Sequence, residues 1–240
     1  MKRLFILVLV CIPFLTYAQD EPVPDAVVTG TVNAVNWDMM DFGVANAVDR
    51  NAMLDPESRL QLVDGSPFLL QNWGTGKIDL IDREPVVYDK INYCIIVQQI
   101  WVKNKDGAVQ AIVAPSKVKQ ITINDQVLVY RTLGDNLSIF EKMEAGKMEL
   151  LKQYRSKYSP AVRATSGYEK PQKARFDTSV KFYYSPDSQD AKEIPGKKAD
   201  FLKIFPENQD KMKTFIDKNK INLKKEKDLI KAFRYYNGLQ

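Results

Sequence analysis

Residues 72–77 read NWGTGK, a glycine-lysine pairing of the kind that cradles phosphate. A phosphate-binding loop needs a glycine five positions before the Gly-Lys pair, a hydroxyl residue after the lysine, and a helix that follows. Here Gln71 stands at the first position and Ile78 at the second, and a strand pattern follows. A dinucleotide fingerprint fails as well, because Asp79 occupies its third glycine position. The stretch therefore reads as a turn into a strand from Lys77, with Trp73 packed beside it.

Two carboxylate pairs come next: Asp38 with Asp41 in NWDMMD, and Asp79 with Asp82 around Leu80-Ile81. A glycosidase needs two such acids across one cleft. With 30 acidic residues in the chain, sequence proximity alone does not supply that geometry. Lys105-Asp106-Gly107 resembles part of a calcium loop, but Val113 stands where the closing glutamate belongs. The chain has no histidine, which removes Ser-His-Asp and Cys-His nucleophiles and histidine metal sites. No cofactor, metal ligand or catalytic residue is assigned, and catalysis by any route would fall to carboxylates, lysine, tyrosine or an oxygen-bound cation. Aromatic side chains are the remaining lead. Trp37, Trp73 and Trp101 lie in or beside the β-rich region, and they form a candidate binding surface, since aromatics on a sheet stack on sugars or apolar ligands.

The N-terminus shows where the chain goes. Lys2 and Arg3 precede the apolar run 4–15, and Thr16-Tyr17-Ala18 places small residues before Gln19. This is the pattern of a signal peptide cleaved between Ala18 and Gln19. The run is shorter than the roughly 20 residues that span a bilayer, so the mature chain is expected to carry no transmembrane helix. Cys11 invites a lipid anchor, but Val8-Leu9-Val10 lacks the small residues expected before a lipidated cysteine, and the apolar run continues past it. Export to the periplasm or the extracellular space, without an anchor, is the expectation. Cys94, the one cysteine left, lies in INYCIIVQQIW and reads as a small buried hydrophobe.

Charge is divided along the chain. Residues 19–140 carry 10 basic against 16 acidic side chains, and residues 141–240 carry 23 against 14. The basic half makes an anionic partner worth considering. In the C-terminal helices, however, Asp217, Glu226 and Asp228 interrupt the positive face, so a solvated surface is the plainer reading, and no nucleic-acid partner is expected.

These features must be carried by short strands and a few helices. The Pro-rich stretch 19–36 reads as a flexible mature N-terminus that enters an edge strand after Val27. From 66 the hydrophobic period is two. The run DKINYCIIVQQIWVK places Ile91, Tyr93, Ile95 and Val97 on one face of what reads as a single strand. Turns are expected at Glu84-Pro85, 104–107 and Asn124-Asp125. A further hairpin is expected at 144–147, where Gly146 favours strands over the rival helix that the spacing of Leu150, Leu151 and Tyr154 allows across 139–158, and another strand is expected at SVKFYYS. After Pro195-Gly196 the period becomes helical: Phe201, Ile204 and Phe205, then Met212, Phe215 and Ile216, then Leu229, Ile230, Phe233 and Tyr236. Pro206 suits the first turn of the second helix, and Asn222 suits the N-cap of the third. The expected fold is α+β: an antiparallel meander, curved or half-barrel, followed by two or three C-terminal helices. The division is 1–18 signal peptide, 19–36 N-terminus, 37–196 β-rich domain, and 197–240 a helical segment packed on that domain.

The stretches GSPFLLQNWGTGKIDLID, KINYCIIVQQIWVKNKDG, MEAGKMELLKQY and the closing 197–237 resemble an uncharacterised family of exported proteins from Bacteroidota. The resemblance covers residues 65–240. It implies a secreted β-rich domain with a short helical C-terminus, and it transfers no catalytic or ligand-binding residue. The function expected is a non-catalytic binding or envelope-associated protein whose partner is an apolar ligand, a glycan or an envelope protein. The alternatives are a carboxylate-dependent glycan hydrolase and a basic adaptor that docks on an acidic surface through its C-terminal helices.

Overall fold

A computed structural model describes residues 28–31, 63–103, 107, 109–112, 115–162, 170 and 172–239. The predicted signal peptide, its Ala18/Gln19 cleavage site, Trp37 and the Asp38/Asp41 pair lie outside the described residues. The turn signal at 104–106 does too, although the strands on either side of it pair as a hairpin through Lys103 and Val109.

Among the described residues, eleven strands form one sheet, antiparallel at every pairing: β1 (Val28–Thr31), β2 (Gly74–Leu80), β3 (Val86–Cys94), β4 (Gln99–Lys103), β5 (Val109–Ile112), β6 (Val118–Ile123), β7 (Gln126–Leu133), β8 (Asn136–Glu144), β9 (Met148–Ser159), β10 (Arg175–Pro186) and β11 (Lys192–Glu193). Their spatial order is β1-β5-β4-β3-β2-β6-β7-β8-β9-β10-β11. The chain thus lays down β2 to β5 in one direction, returns to the free edge of β2, and continues from β6 to β11. Three helices follow, α1 (Lys198–Leu202), α2 (Gln209–Lys218) and α3 (Glu226–Asn237). This is the α+β arrangement expected from the sequence, with the sheet curved into a half-barrel.

The curvature can be read from contacts. Strands lie about 4.8 Å apart, so β3 and β9, five neighbours apart in the order, would be about 24 Å apart in a flat sheet. Yet the side chain of Gln98, at the tip of the β3–β4 hairpin, donates to the Tyr154 carbonyl in β9 at 3.2 Å. A strap formed by residues 63–73 closes the same gap. Its Asp64 is tied to the start of β10 through the Ala174 carbonyl and the Phe176 amide. Its Pro67 and Leu69 are tied to the end of β3 through the Ile95 amide and the Tyr93 carbonyl. The concave face is therefore filled by side chains from β2 to β9 in a single cluster that includes Ile78, Ile91, Tyr93, Ile112, Ile121, Leu128 and Ile139.

One sequence expectation fails in an instructive way. The run DKINYCIIVQQIWVK is not one strand: residues 95–98 form a tight turn that makes a hairpin of β3 and β4. None of the usual turn residues marks it, and Gln98 takes the left-handed conformation (φ +55°) that glycine or asparagine would more ordinarily occupy. Tertiary bonds offset that cost, since the Gln98 amide donates to the Ile95 carbonyl at 2.6 Å as well as to β9.

Two further corrections concern glycine and caps. Gly74 and Gly76 do not form a turn. They lie within β2, and a Cβ on Gly76 would fall 2.1 Å from the Thr122 carbonyl oxygen of β6. Glycine is required there because two backbones approach closely, not because φ is positive. Asn222 does not cap α3. The N-cap position is Lys225, with no side-chain cap, and the Asn222 side chain accepts from the Lys224 amide instead.

The helices cover one end of the concave face. Phe201, Phe205, Phe233 and Tyr236 pack with Met148 and Leu150 of β9, Phe205 touching Phe233 and Tyr236 at 5.5 and 4.6 Å between ring centroids. The last turn of α3 is pinned to the β8–β9 hairpin. Asn237 accepts from the Met148 amide and donates to the carbonyls of Ala145 and Met148.

Candidate functional site

Alternation in β8 and β9 decides which polar groups face inward. On β8 the inner face carries Ile139 and then Glu141, and on β9 it carries Leu150, then Lys152, Tyr154 and Ser156. Glu141 and Lys152 are direct cross-strand partners. A lysine two residues beyond a fully buried leucine, on the same face of the strand, was the signal available in the sequence for this site.

Lys152 lies 3.4 Å from Glu141 and 3.0 Å from Glu226, the first residue of α3. Its ammonium also stands 5.0 Å from the centre of the Tyr154 ring, within cation–π range. Burial alone would depress its pKa. Hydrogen bonds to Tyr154 and Glu226, together with the charge of Glu141, outweigh that and hold it above the ordinary lysine value. The Tyr154 hydroxyl donates to Glu141 at 2.5 Å and accepts from Gln126 at 3.3 Å. Burial, aided by that carboxylate, pushes its phenol up to about 12. Tyr154 is thus the hub: Gln98 holds its carbonyl, while Gln126, Glu141 and Lys152 hold its side chain.

Next to this hub are polar atoms without partners. Gln98 Oε1 and Ser156 Oγ are buried and make no hydrogen bond, and neither does the Tyr88 hydroxyl elsewhere in the same core. Tyr93 is wholly enclosed; burial raises its pKa, and a hydrogen bond with the Gln98 side chain works against that rise. A buried polar group left unbonded costs about 1–3 kcal/mol, so the two on residues next to this hub mark a place where a partner with complementary polar groups belongs.

The residues singled out from the sequence lie elsewhere. Trp101 is buried on the outer face with Cys94 and Ala111. It meets Phe68 edge-on at 5.3 Å, so it is core rather than binding surface. Trp73 is half-buried at the rim of that cluster, with the Lys103 ammonium 5.7 Å from its ring. The two described tryptophans therefore belong to outer-face packing, not to a concave platform. Burial pushes the Cys94 thiol up to about 12, so it stays protonated and unreactive.

Asp79 accepts from Gln120 and pairs with Lys77. Burial would raise its pKa, but these two partners outweigh it and lower it. Asp82 is exposed. The acids that do converge are Glu141 and Glu226, and the ammonium of Lys152 stands between them where a substrate oxygen would have to sit. No group of three or more potential metal ligands occurs among the described residues, and no helix among them is long and apolar enough to cross a membrane.

Comparison of the chain with protein-family models, curated proteins and solved structures finds no match. The functional reading therefore stands on the site itself and on the N-terminal sequence.

Proposed function

We propose that this chain is an exported, non-catalytic binding protein that recognises a hydroxyl-bearing ligand, a glycan, at the Tyr154 hub of the rolled sheet. The observation that carries the reading is the pair of unbonded buried atoms beside that hub, Gln98 Oε1 and Ser156 Oγ. The serine hydroxyl can donate and accept and the amide oxygen accepts, which suits a ligand that offers hydroxyl donors over a purely apolar chain. Aromatic rings of Tyr130 and Tyr154, partly buried against the core, supply the apolar faces that sugars stack on. Export is supported by the leader pattern ending at Ala18 and by the resemblance to exported Bacteroidota proteins.

Two measurements test these parts separately. The mass of the exported chain should correspond to a start at Gln19, and an acylated Cys11 at the N-terminus would overturn the processing. In isotope-edited NMR, a panel of neutral oligosaccharides should shift the Gln98 side-chain amide and the Ser156 backbone resonance. If fatty acids shift them and no oligosaccharide does, the ligand is apolar and the glycan reading is wrong. If neither class does, the binding reading is wrong.

A further inference from the structure

The corner between α2 and α3 carries Lys218 at the end of α2, Lys220, Lys224 and Lys225 in the turn, and Lys227 in the first turn of α3, five lysines within ten residues and all exposed. From the sequence, Asp217, Glu226 and Asp228 break up this charge. In the folded chain each of them is committed elsewhere. Asp217 pairs with Lys198 of α1. Glu226 turns inward to Lys152 on β9. Asp228 accepts from the Asn222 amide at 3.0 Å and faces Lys231 of its own helix. None of the five lysines has an ion-pair partner among the described residues. The apolar residues of the turn, Ile221 and Leu223, pack against the helical core, and none of the large exposed apolar side chains lies on this corner.

We propose that this corner docks the protein on an anionic lipid bilayer surface. Three features favour a flat charged surface over a threaded strand or a defined phosphate pocket. The patch is a helix–turn–helix corner and so convex. Its charges are all lysines, mobile point charges with no bidentate fork for holding one phosphate. It has no aromatic side chain in the run 218–228 to stack on a base or sugar. Attachment is electrostatic, additive over the lysines and released by salt, and with no exposed apolar wedge at the corner it is peripheral rather than inserted. The inference is independent of the ligand proposed for the Tyr154 hub.

Vesicle flotation of the mature chain tests it. The protein should float with vesicles of about 30 mol% phosphatidylglycerol in phosphatidylcholine, but not with phosphatidylcholine alone, and should be released at about 0.5 M salt. The triple variant Lys220→Gln/Lys224→Gln/Lys225→Gln should lose about 100-fold in affinity. The variant Lys90→Gln/Lys117→Gln/Lys119→Gln, which removes the same charge from exposed positions on other parts of the molecule, should lose far less. The proposal is overturned if the wild type does not float with the anionic vesicles, or if the two triple variants bind alike. Retention on heparin or DNA without vesicle flotation also overturns it and reassigns the corner to a linear polyanion.

Discussion

The side chain of Gln98 donates to the carbonyl of Tyr154 at 3.2 Å, joining the tip of the β3–β4 hairpin to a strand five neighbours away. This bond and the strap at 63–73 are what turn an open sheet into a rolled one. Gln98→Ala removes it together with the bond to the Ile95 carbonyl, and leaves a residue other than glycine at positive φ. A loss of about 1–2 kcal/mol is expected, read as a lower urea midpoint. Gln98→Gly should lose less, because glycine relieves the left-handed strain.

The close approach of β2 to β6 sets a second expectation. A Cβ at Gly76 meets the Thr122 backbone, whereas one at Gly74 meets the side chains of Leu70 and Asn124. Backbone cannot step aside as side chains can. Gly76→Ala should cost at least about 3 kcal/mol and Gly74→Ala about 1 kcal/mol. Equal midpoints for the two variants in urea would contradict the pinch.

Asn237 fastens α3 to the β8–β9 hairpin with three hydrogen bonds to backbone, and Gly146 lies so close that a Cβ there would strike the Asn237 amide. Asn237→Ala should destabilise by about 2 kcal/mol, seen in thermal melting. Arg234, which pairs with Glu144 one turn earlier but is largely exposed, should be replaceable by alanine at little cost, because solvent screens such pairs.

Stability should fall on the alkaline side. Burial pushes the phenols of Tyr88 and Tyr130 up to about 12, and burial also raises Tyr93. Tyr154, Cys94 and Lys152 are raised as well. Each of these groups holds its proton in the folded chain at pH values where the unfolded chain has released it. The native state therefore binds more protons, and stability falls as pH rises. The contribution is complete below the ordinary cysteine value near 8.5 and fades through the tyrosine and lysine values near 10 towards 12. Urea midpoints should be flat from about pH 7 to 8 and decline steadily above about 10. Tyr88→Phe should make the decline shallower.

How much of this was legible depended on whether the cause was local. The helices could be read because Phe201, Phe205, Phe233 and Tyr236 recur at helical spacing and bury one face. The β8–β9 hairpin could be read because Gly146 interrupts two alternating runs. The β3–β4 turn could not, since Ile95, Ile96, Val97 and Gln98 carry no turn chemistry and the turn is held by Pro67 and Tyr154, remote in sequence. The glycines of NWGTGK suggested a turn, whereas the demand for glycine at position 76 comes from the backbone of Thr122, some fifty residues on. The Tyr154 hub was missed because it needs β3, β7, β8, β9 and α3 together. Its one local trace, Lys152 on the same strand face as the buried Leu150, is a single residue. The tryptophans drew attention by type, yet Trp101 is spent on the outer-face core.

The claim that the unbonded atoms beside Tyr154 await a ligand is tested most directly by melting the wild type and Ser156→Ala with and without a panel of neutral oligosaccharides. Without sugar, the variant should melt at or above the wild type, since it deletes a buried group that has no partner. At least one oligosaccharide should raise the wild-type midpoint and fail to raise that of the variant. If no sugar stabilises the wild type, or if the stabilisation survives in the variant, the atoms beside Tyr154 are not a binding site and the account is contradicted.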